Sequence, residues 1–219
     1  MRRIIGSAFV SLDGVMQAPG GPSEDWTGGF EYGGWLWPLG DNATDSWIGE
    51  LFDRPYDLLL GRKTYEIFAA YWPYVDAENP IAKGFNAAAK YVLTRGPEQL
   101  EWENSHRLPD IAAVAELKKG DGPDLVIQGS STLYPALLEA GLLDQFTTLT
   151  YPLVLGSGKR LFGDGTPPRT LNLVRHEVSP KGTVIARYEP AGDVETGSFA
   201  AIEPSEREKA RQDRMKRED

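Results

Sequence analysis

The stretch Asp57-Leu58-Leu59-Leu60-Gly61-Arg62-Lys63-Thr64-Tyr65-Glu66 carries the residue types that anion binding needs. An apolar run enters a glycine turn, and two basic residues and a hydroxyl follow at the start of a helix-forming segment. Free N–H groups and the positive end of a helix dipole favour a phosphate there, and Arg62 and Lys63 add charge beside it. The same residues also suit an ordinary strand-to-helix turn, so the segment alone leaves both readings open. Two further places offer similar equipment: Thr94-Arg95, closing the run Tyr91-Val92-Leu93, and Gly129-Ser130-Ser131-Thr132, closing Asp124-Leu125-Val126-Ile127-Gln128. Glycine lets the backbone approach a phosphate, and hydroxyls with free N–H groups complete an anion nest. Three such strand ends fit a dinucleotide with an extra phosphate, its pyrophosphate between the first and third and its 2′-phosphate at Arg95 with help from Arg62 or Lys63.

Those turns need elements to hold them. Residues 3–10 read as a buried strand, 41–53 as a helix capped by Asp41, 56–60 as a strand, and the residues after Gly61 as a helix that ends near Trp72-Pro73. A helix over 80–89, strand 91–94, helix 110–119, strand 124–128 and helix 132–140 continue the rhythm. Strands at 145–155, 170–178 and 182–189 follow, the last two joined at Ser179-Pro180-Lys181-Gly182 as a hairpin. The pattern predicts an α/β fold: a mainly parallel central sheet with helices on both faces and an antiparallel C-terminal edge hairpin. Residues 11–40 form a long loop dense in aromatics (Trp26, Phe30, Tyr32, Trp35, Trp37), which reads as a lid or substrate wall. We divide the chain into a domain over 1–190 and a charged tail over 191–219, helical or disordered.

Composition narrows the ligand. The formal net charge is −9, and the tail segment 203–219 is balanced, so the folded body carries the excess of acid. An acidic body disfavours nucleic acid and anionic membrane surfaces and points to a small-molecule substrate in a locally basic pocket. No cysteine is present, which excludes disulfides, thiolate metal sites and a cysteine nucleophile and suits a cytoplasmic protein. His106 and His176 stand without metal-ligand spacing, so no metal site is expected. Gly156-Ser157-Gly158-Lys159-Arg160 lacks the pattern of a P-loop, and no Gly-x-Ser-x-Gly elbow occurs.

Four segments in order, Ser11-Leu12-Asp13-Gly14-Val15, Leu60 to Glu66, Val126-Ile127-Gln128-Gly129-Ser130 and Tyr151-Pro152-Leu153-Val154-Leu155-Gly156-Ser157-Gly158 with Leu161-Phe162, carry a resemblance. The chain resembles the dihydrofolate-reductase-like superfamily, in particular the reductase domain at the C-terminus of bacterial bifunctional riboflavin-biosynthesis deaminase-reductases, over about residues 2–189. The resemblance implies an NADPH-dependent reductase, with the pyrophosphate at Gly61, Arg62, Lys63, Thr64 and Gly129, Ser130, Ser131, Thr132, the 2′-phosphate at Thr94 and Arg95, and Tyr134 near the nicotinamide. It implies a small heterocyclic substrate under the 11–40 loop, with Ser11 and Trp35 in its wall and Lys159 and Arg160 available to a substrate phosphate. Reduction of the ribosyl group of an aminouracil intermediate in riboflavin synthesis is the closest such activity. The zinc-deaminase half is expected to be absent, and the Gln128-Gly129-Ser130-Ser131 turn departs from the more glycine-rich version.

Hydride transfer to an imine or sugar needs a proton donor. Asp45, on the helix before the Gly-Arg turn, resembles the substrate-binding carboxylate of dihydrofolate reductases; Asp13 is the second candidate. Each also fits a plainer role, as an exposed helix carboxylate and a turn-forming residue. The alternatives are a non-catalytic binding module on the same fold and a dihydrofolate-type reductase. Relatives of this kind pair as homodimers through their last strands, and Phe146 to Leu155 suits either such an interface or the core.

Overall fold

The computed structural model describes residues 1–218. The chain runs β1 (Ile4–Ser11), α1 (Asn42–Phe52), β2 (Tyr56–Gly61), α2 (Arg62–Ala69), α3 (Pro80–Ala87), β3 (Lys90–Leu93), β4 (Ser105–Leu108), α4 (Ile111–Lys119), β5 (Asp124–Gln128), α5 (Leu133–Glu139), β6 (Gln145–Tyr151), β7 (Leu171–Val178), β8 (Val184–Pro190) and α6 (Glu206–Met215). All eight strands join one sheet in the order β4-β3-β2-β5-β1-β6-β8-β7. The first six in that order pair in parallel, and β8 pairs antiparallel with both β6 and β7. The expected fold class is therefore present: a mainly parallel sheet with an antiparallel edge hairpin.

Parallel strands need helical crossovers, and the crossovers cover both faces. On one face α4 and α5 pack Val114, Leu133, Tyr134, Leu137 and Leu138 onto Ile4, Leu59, Leu125 and Ile127. The other face carries two separate clusters. Leu58, Leu60, Tyr65, Phe85 and Val92 bury against one another over β2 and β3, while Phe30, Trp35, Trp47, Leu149, Tyr151 and Ile185 do so over β6 and β8. A buried pair, Arg2 with Asp57, ties the start of the chain to β2.

Several boundaries differ from expectation. β4 is absent from the sequence reading, because Ser105-His106-Arg107-Leu108 is an exposed edge strand whose burial alternates only at Leu108. The strand expected to reach residue 155 stops at Tyr151, where Pro152 has no N–H to give the ladder. Within that strand Phe146, Leu149 and Tyr151 are buried, so the apolar run is core and not a free face. Part of the tail forms helix α6, with pairs Glu206–Lys209, Glu208–Arg211 and Asp213–Lys216 at i,i+3. Among the described residues, no helix is long and apolar enough to cross a membrane.

Candidate active site

The carboxyl ends of β2, β3 and β5 lie side by side, because Gly61 is in register with Leu93 on β3 and β2 also pairs with β5. Two of the three expected anion turns meet there through one side chain. The Ser130 hydroxyl accepts the Gly61 N–H at 2.9 Å and donates to Thr64 Oγ1 at 2.8 Å. A methyl group built on Gly61 would stand 3.3 Å from Ser130 Oγ and 3.7 Å from Thr132 Oγ1, so the two turns touch without a side chain between them. Gly129 has φ +84°, a conformation glycine adopts freely, and this brings its backbone beside Thr64.

Helix capping separates this region from the rest of the molecule. Asp41, Asn79, Asp110 and Ser205 each accept a backbone N–H at the start of α1, α3, α4 and α6. The starts of α2, at Gly61, and α5, at Thr132, have no side-chain cap. The first-turn N–H groups of α2 are orphan donors with the positive end of the dipole behind them, which is what a phosphate satisfies; in α5 the Leu133 N–H is bonded to the Ser130 carbonyl and Pro135 has no N–H, so that first turn offers the Tyr134 N–H alone. Arg62, on the first turn of α2, is half-exposed and paired with Glu66, and Arg95 is exposed just beyond β3. Thr94 is buried; its hydroxyl accepts the Gly96 N–H and its backbone N–H bonds Leu108. Its side chain thus shapes the turn that presents Arg95. Ser131 is part-exposed in the nest.

The 11–40 loop and the segment after β6 close over the opposite side. Gln17, 4% exposed, donates to the carbonyls of Asp25 and Thr27 and accepts the Lys159 N–H. Lys159 pairs with Asp25 and reaches Thr27 Oγ1 at 2.8 Å. Burial raises the Asp25 carboxyl, but the hydrogen bonds from Lys159 and Thr27 prevail and hold it below its ordinary value. Lys159 also stands beside Lys63, whose ammonium it pushes below the usual lysine range, with Asp25 opposing the shift. A cavity of about 280 Å³ lies here, lined by Gln17, Thr27, Phe30, Ser157 and Lys159. Gly158 has no room for a side chain, since a methyl would meet Val15 Cγ1 at 2.7 Å. Gln17 and Asp25 carry no motif that sequence reasoning could use; only their partners give them meaning.

Other expected site residues are placed in structural roles. Tyr134 is fully buried in α5, its hydroxyl donating to the Ser7 carbonyl at 2.8 Å, so it touches no ligand in this conformation. Trp35 is 7% exposed, donates to the Gln17 carbonyl and packs edge-on against Tyr151; it holds the loop down from inside. Ser11 is buried and fixes the turn by accepting the Val15 N–H and donating to Asp13. Asp13 accepts from Ser11, from the Leu155 and Gly156 N–H groups and pairs with Arg160. The Ser11 hydrogen bond leads these in holding its carboxyl down at about 2, which makes Asp13 an anion at neutral pH and not a proton donor. Arg160 is spent on this contact and on the Asp13 and Gly156 carbonyls, so it fastens the loop instead of offering its charge to a substrate.

Asp45 is exposed in the first turn of α1, as expected of a helix carboxylate. It shares a stripe with Ile48 and Phe52 at helical spacing. Ile48 packs on the cluster over β6 and β8, and Phe52 on the cluster over β2 and β3. The stripe therefore borders the seam between the two clusters. Among the described residues no group of histidine, aspartate or glutamate has the arrangement of a metal site.

Comparison with known proteins bears on the family and the fold. The sequence model of the RibD C-terminal domain matches residues 2–185. The fold is similar to that of a riboflavin biosynthesis protein from Shewanella sp. PV-4, with TM-score 0.64 and 21% identity over 86% of this chain and 99% of that one. It is also similar to a Thermotoga maritima diaminohydroxyphosphoribosylaminopyrimidine deaminase/5-amino-6-(5-phosphoribosylamino)uracil reductase, with TM-score 0.58 and 13% identity over 87% of this chain and 57% of that one. A dihydrofolate reductase from Enterococcus faecalis, complexed with NADP(H), matches with TM-score 0.53 and 16% identity over 86% of this chain and 96% of its own. The fold is dihydrofolate-reductase-like.

Proposed function

Because the chain belongs to the RibD C-terminal domain family, we propose that it is an NADPH-dependent reductase acting on a small heterocyclic substrate, of the kind named for its Thermotoga neighbour, 5-amino-6-(5-phosphoribosylamino)uracil. The observation that carries the cofactor assignment is the meeting of two uncapped helix starts across Ser130. Gly61 to Thr64 and Gly129 to Thr132 would hold the pyrophosphate, and Arg95, with Arg62, the 2′-phosphate. When bound, NADPH supplies the hydride.

The protein's own part is positioning and charge. Lys63 and Lys159 place two ammonium groups next to the loop cavity, with one carboxylate, Asp25, between their charges. That surplus suits a substrate phosphate, with Lys159 and not Arg160 as the contact. Asp45, on the stripe bordering the seam, is the acid we assign to the substrate, since Asp13 is held ionised. The loop, anchored by Trp35, Gln17 and the Asp13–Arg160 pair, would exclude water from the reacting atoms. We also propose that two copies pair through β7, an edge strand that exposes Leu173, Val174 and Val178.

Titration of NADPH by fluorescence tests the reading. Micromolar-range binding that weakens at least about tenfold in Arg95→Ala and Arg62→Ala, with NADH little affected by Arg95→Ala, is expected for charge-assisted phosphate contacts. No binding by the intact protein would leave the non-catalytic module. Asp45→Asn then separates turnover from binding: NADPH affinity should hold while reduction of the aminouracil substrate falls by about 10²-fold or more.

A further inference from the structure

We infer that the cavity between α2 and the segment joining β3 to β4 is a binding site for a linear aliphatic polyamine, separate from the regions assigned to nucleotide and substrate. The cavity encloses about 670 Å³, within the size range of small-molecule sites. Glu66, Ala69 and Ala70 enter it from the last turns of α2, and Tyr74 from the turn that follows. Glu101, Trp102 and Glu103 form the facing wall, and Asn86, near the end of α3, closes the base.

Register places this cavity away from the phosphate turns. Trp102 and Glu103 come just before β4, whose first residue, Ser105, pairs with Lys90, the first residue of β3. The Lys90 ammonium donates to the Asn86 carbonyl at 2.8 Å, which ties the base of the cavity to the same place. The cavity therefore lies toward the amino ends of β3 and β4, whereas Gly61 and Arg95 stand at and beyond the carboxyl ends of β2 and β3. Its carboxylates would also repel the phosphates of a nucleotide.

The inner wall is fixed by bonds of its own. Trp102 donates its backbone N–H to the Tyr65 hydroxyl and its indole N–H to Asn86 Oδ1, each at 2.9 Å, and Asn86 donates to the Trp72 carbonyl at 3.2 Å. A wall held in this way needs no ordering when a ligand arrives. What the cavity leaves unmatched is charge. Among the described residues Glu101 and Glu103 enter no ion pair, and Glu66 has only Arg62, in an exposed i,i+4 contact. Lys90 is fully buried against the Trp102 ring, its ammonium 4.4 Å from the centroid, so it does not neutralise the rim. The three carboxylates stand on two facing walls and, among the described residues, have no arrangement that closes around a metal ion. A cation that meets both walls must be long, with charge at its ends and an apolar middle. Ala69, Ala70 and the exposed Tyr74 ring offer methylene groups an apolar track, and aromatic faces attract ammonium groups. An aliphatic polyamine has that pattern.

Calorimetric titration of spermidine into the full chain, with no nucleotide present, tests the site. We expect saturation at one spermidine per chain, weakened about tenfold by the double variant Glu101→Gln/Glu103→Gln and about threefold by Tyr74→Ala. A second double variant, Asp121→Asn/Glu139→Gln, removes the same charge from exposed positions outside the cavity and should leave the affinity within about twofold of wild type. Every substituted residue is exposed, so the variants keep the core intact. Mg²⁺ at matched ionic strength should fail to displace spermidine, because a compact ion spans neither wall to the other. Equal weakening by the two double variants, or displacement by Mg²⁺, would mean that spermidine is drawn to the acidic body as a whole and would overturn the site. Titration without saturation would overturn it too. NADPH takes no part in the measurement, so its outcome is independent of whether the chain is a reductase.

Discussion

Ser130 and Thr64, 66 residues apart in sequence, share a 2.8 Å hydroxyl–hydroxyl hydrogen bond that joins the turn after β5 to the start of α2. Ser130 holds φ at +65°, a left-handed conformation that costs a non-glycine residue about 1 kcal/mol or more. The bond from Gly61 N–H to Ser130 Oγ gives that cost a purpose, since it fixes two uncapped helix starts at one separation.

Ser130→Ala removes both bonds and leaves the backbone strain, so it should loosen the nest before it unfolds the chain. We expect NADPH affinity to fall about tenfold, with a stability loss of about 1 kcal/mol. Gly129→Val should be more severe, because φ +84° is strained for a branched residue and its side chain would grow against Thr64, 3.4 Å from the first added carbon. Fluorescence titration alongside urea denaturation separates the two effects. A Ser130→Ala protein that binds NADPH like the wild type would disconnect this bond from the cofactor.

Asp13 is the next test, because its carboxylate accepts three hydrogen bonds and an arginine contact that fasten the start of the 11–40 loop to the segment after β6. Asp13→Asn replaces one acceptor with a donor facing N–H groups and should cost about 1–2 kcal/mol at pH 7. The folded-state carboxyl titrates near 2, below its unfolded value. Its stabilisation is therefore complete above about pH 4 and is lost as pH falls toward 2. Thermal melts from pH 7 to 2.5 should show wild type and variant converging at the acid end. The pH profile of turnover should be the same in both, since an ionised Asp13 donates no proton.

The contrast between Asp13 and Gly61 explains what the sequence could disclose. Gly61, Thr64, Gly129 and Thr132 are legible as candidates because the signal is local: an apolar strand, a glycine and a helix start lie within a few consecutive residues. The sheet is legible for the same reason, apart from β4, an edge strand of four residues of which only Leu108 is buried. Asp13 and Arg160 are 147 residues apart, and only tertiary pairing turns a candidate acid and a candidate phosphate ligand into a clasp. Only the resemblance places Tyr134 near the nicotinamide; the fold gives it a packing role, since Gly6 leaves a hole in β1 that its ring fills.

The antiparallel edge carries a prediction about assembly. β7 bonds only β8, and Leu173, Val174 and Val178 are 52%, 51% and 63% exposed. Exposed apolar edge strands invite pairing with another chain unless covered. Sedimentation of the intact protein should report a dimer, and Val174→Glu should shift it to the monomer by placing a like charge on each copy. A monomeric wild type at tens of micromolar would discard the assignment. α1 sits close to this edge, with Arg175 Cζ 3.9 Å from the Trp47 ring centroid and paired to Glu50.

Lys90 supplies a prediction independent of any ligand. It is fully buried at the start of β3, where its ammonium donates to the Asn86 carbonyl and lies 4.4 Å from the Trp102 ring centroid. Burial dominates over the opposing charge of Glu103 and brings its pKa down to about 8. At neutral pH the fold must therefore hold a charge that the unfolded chain carries more cheaply. Between about pH 8 and the unfolded lysine value near 10.4, the unfolded state binds more protons, so wild-type stability should gain from rising pH at this site. Lys90→Met removes the buried charge and keeps the length of the side chain, at the loss of one hydrogen bond and a cation–π contact worth about 1 kcal/mol. We expect Lys90→Met to be more stable than wild type by about 1 kcal/mol at pH 7, and the advantage to vanish by pH 10. Urea denaturation at pH 7, 8.5 and 10 measures both the sign and the slope. A variant less stable than wild type at pH 7 would mean that Trp102 and Asn86 more than offset the burial of the charge.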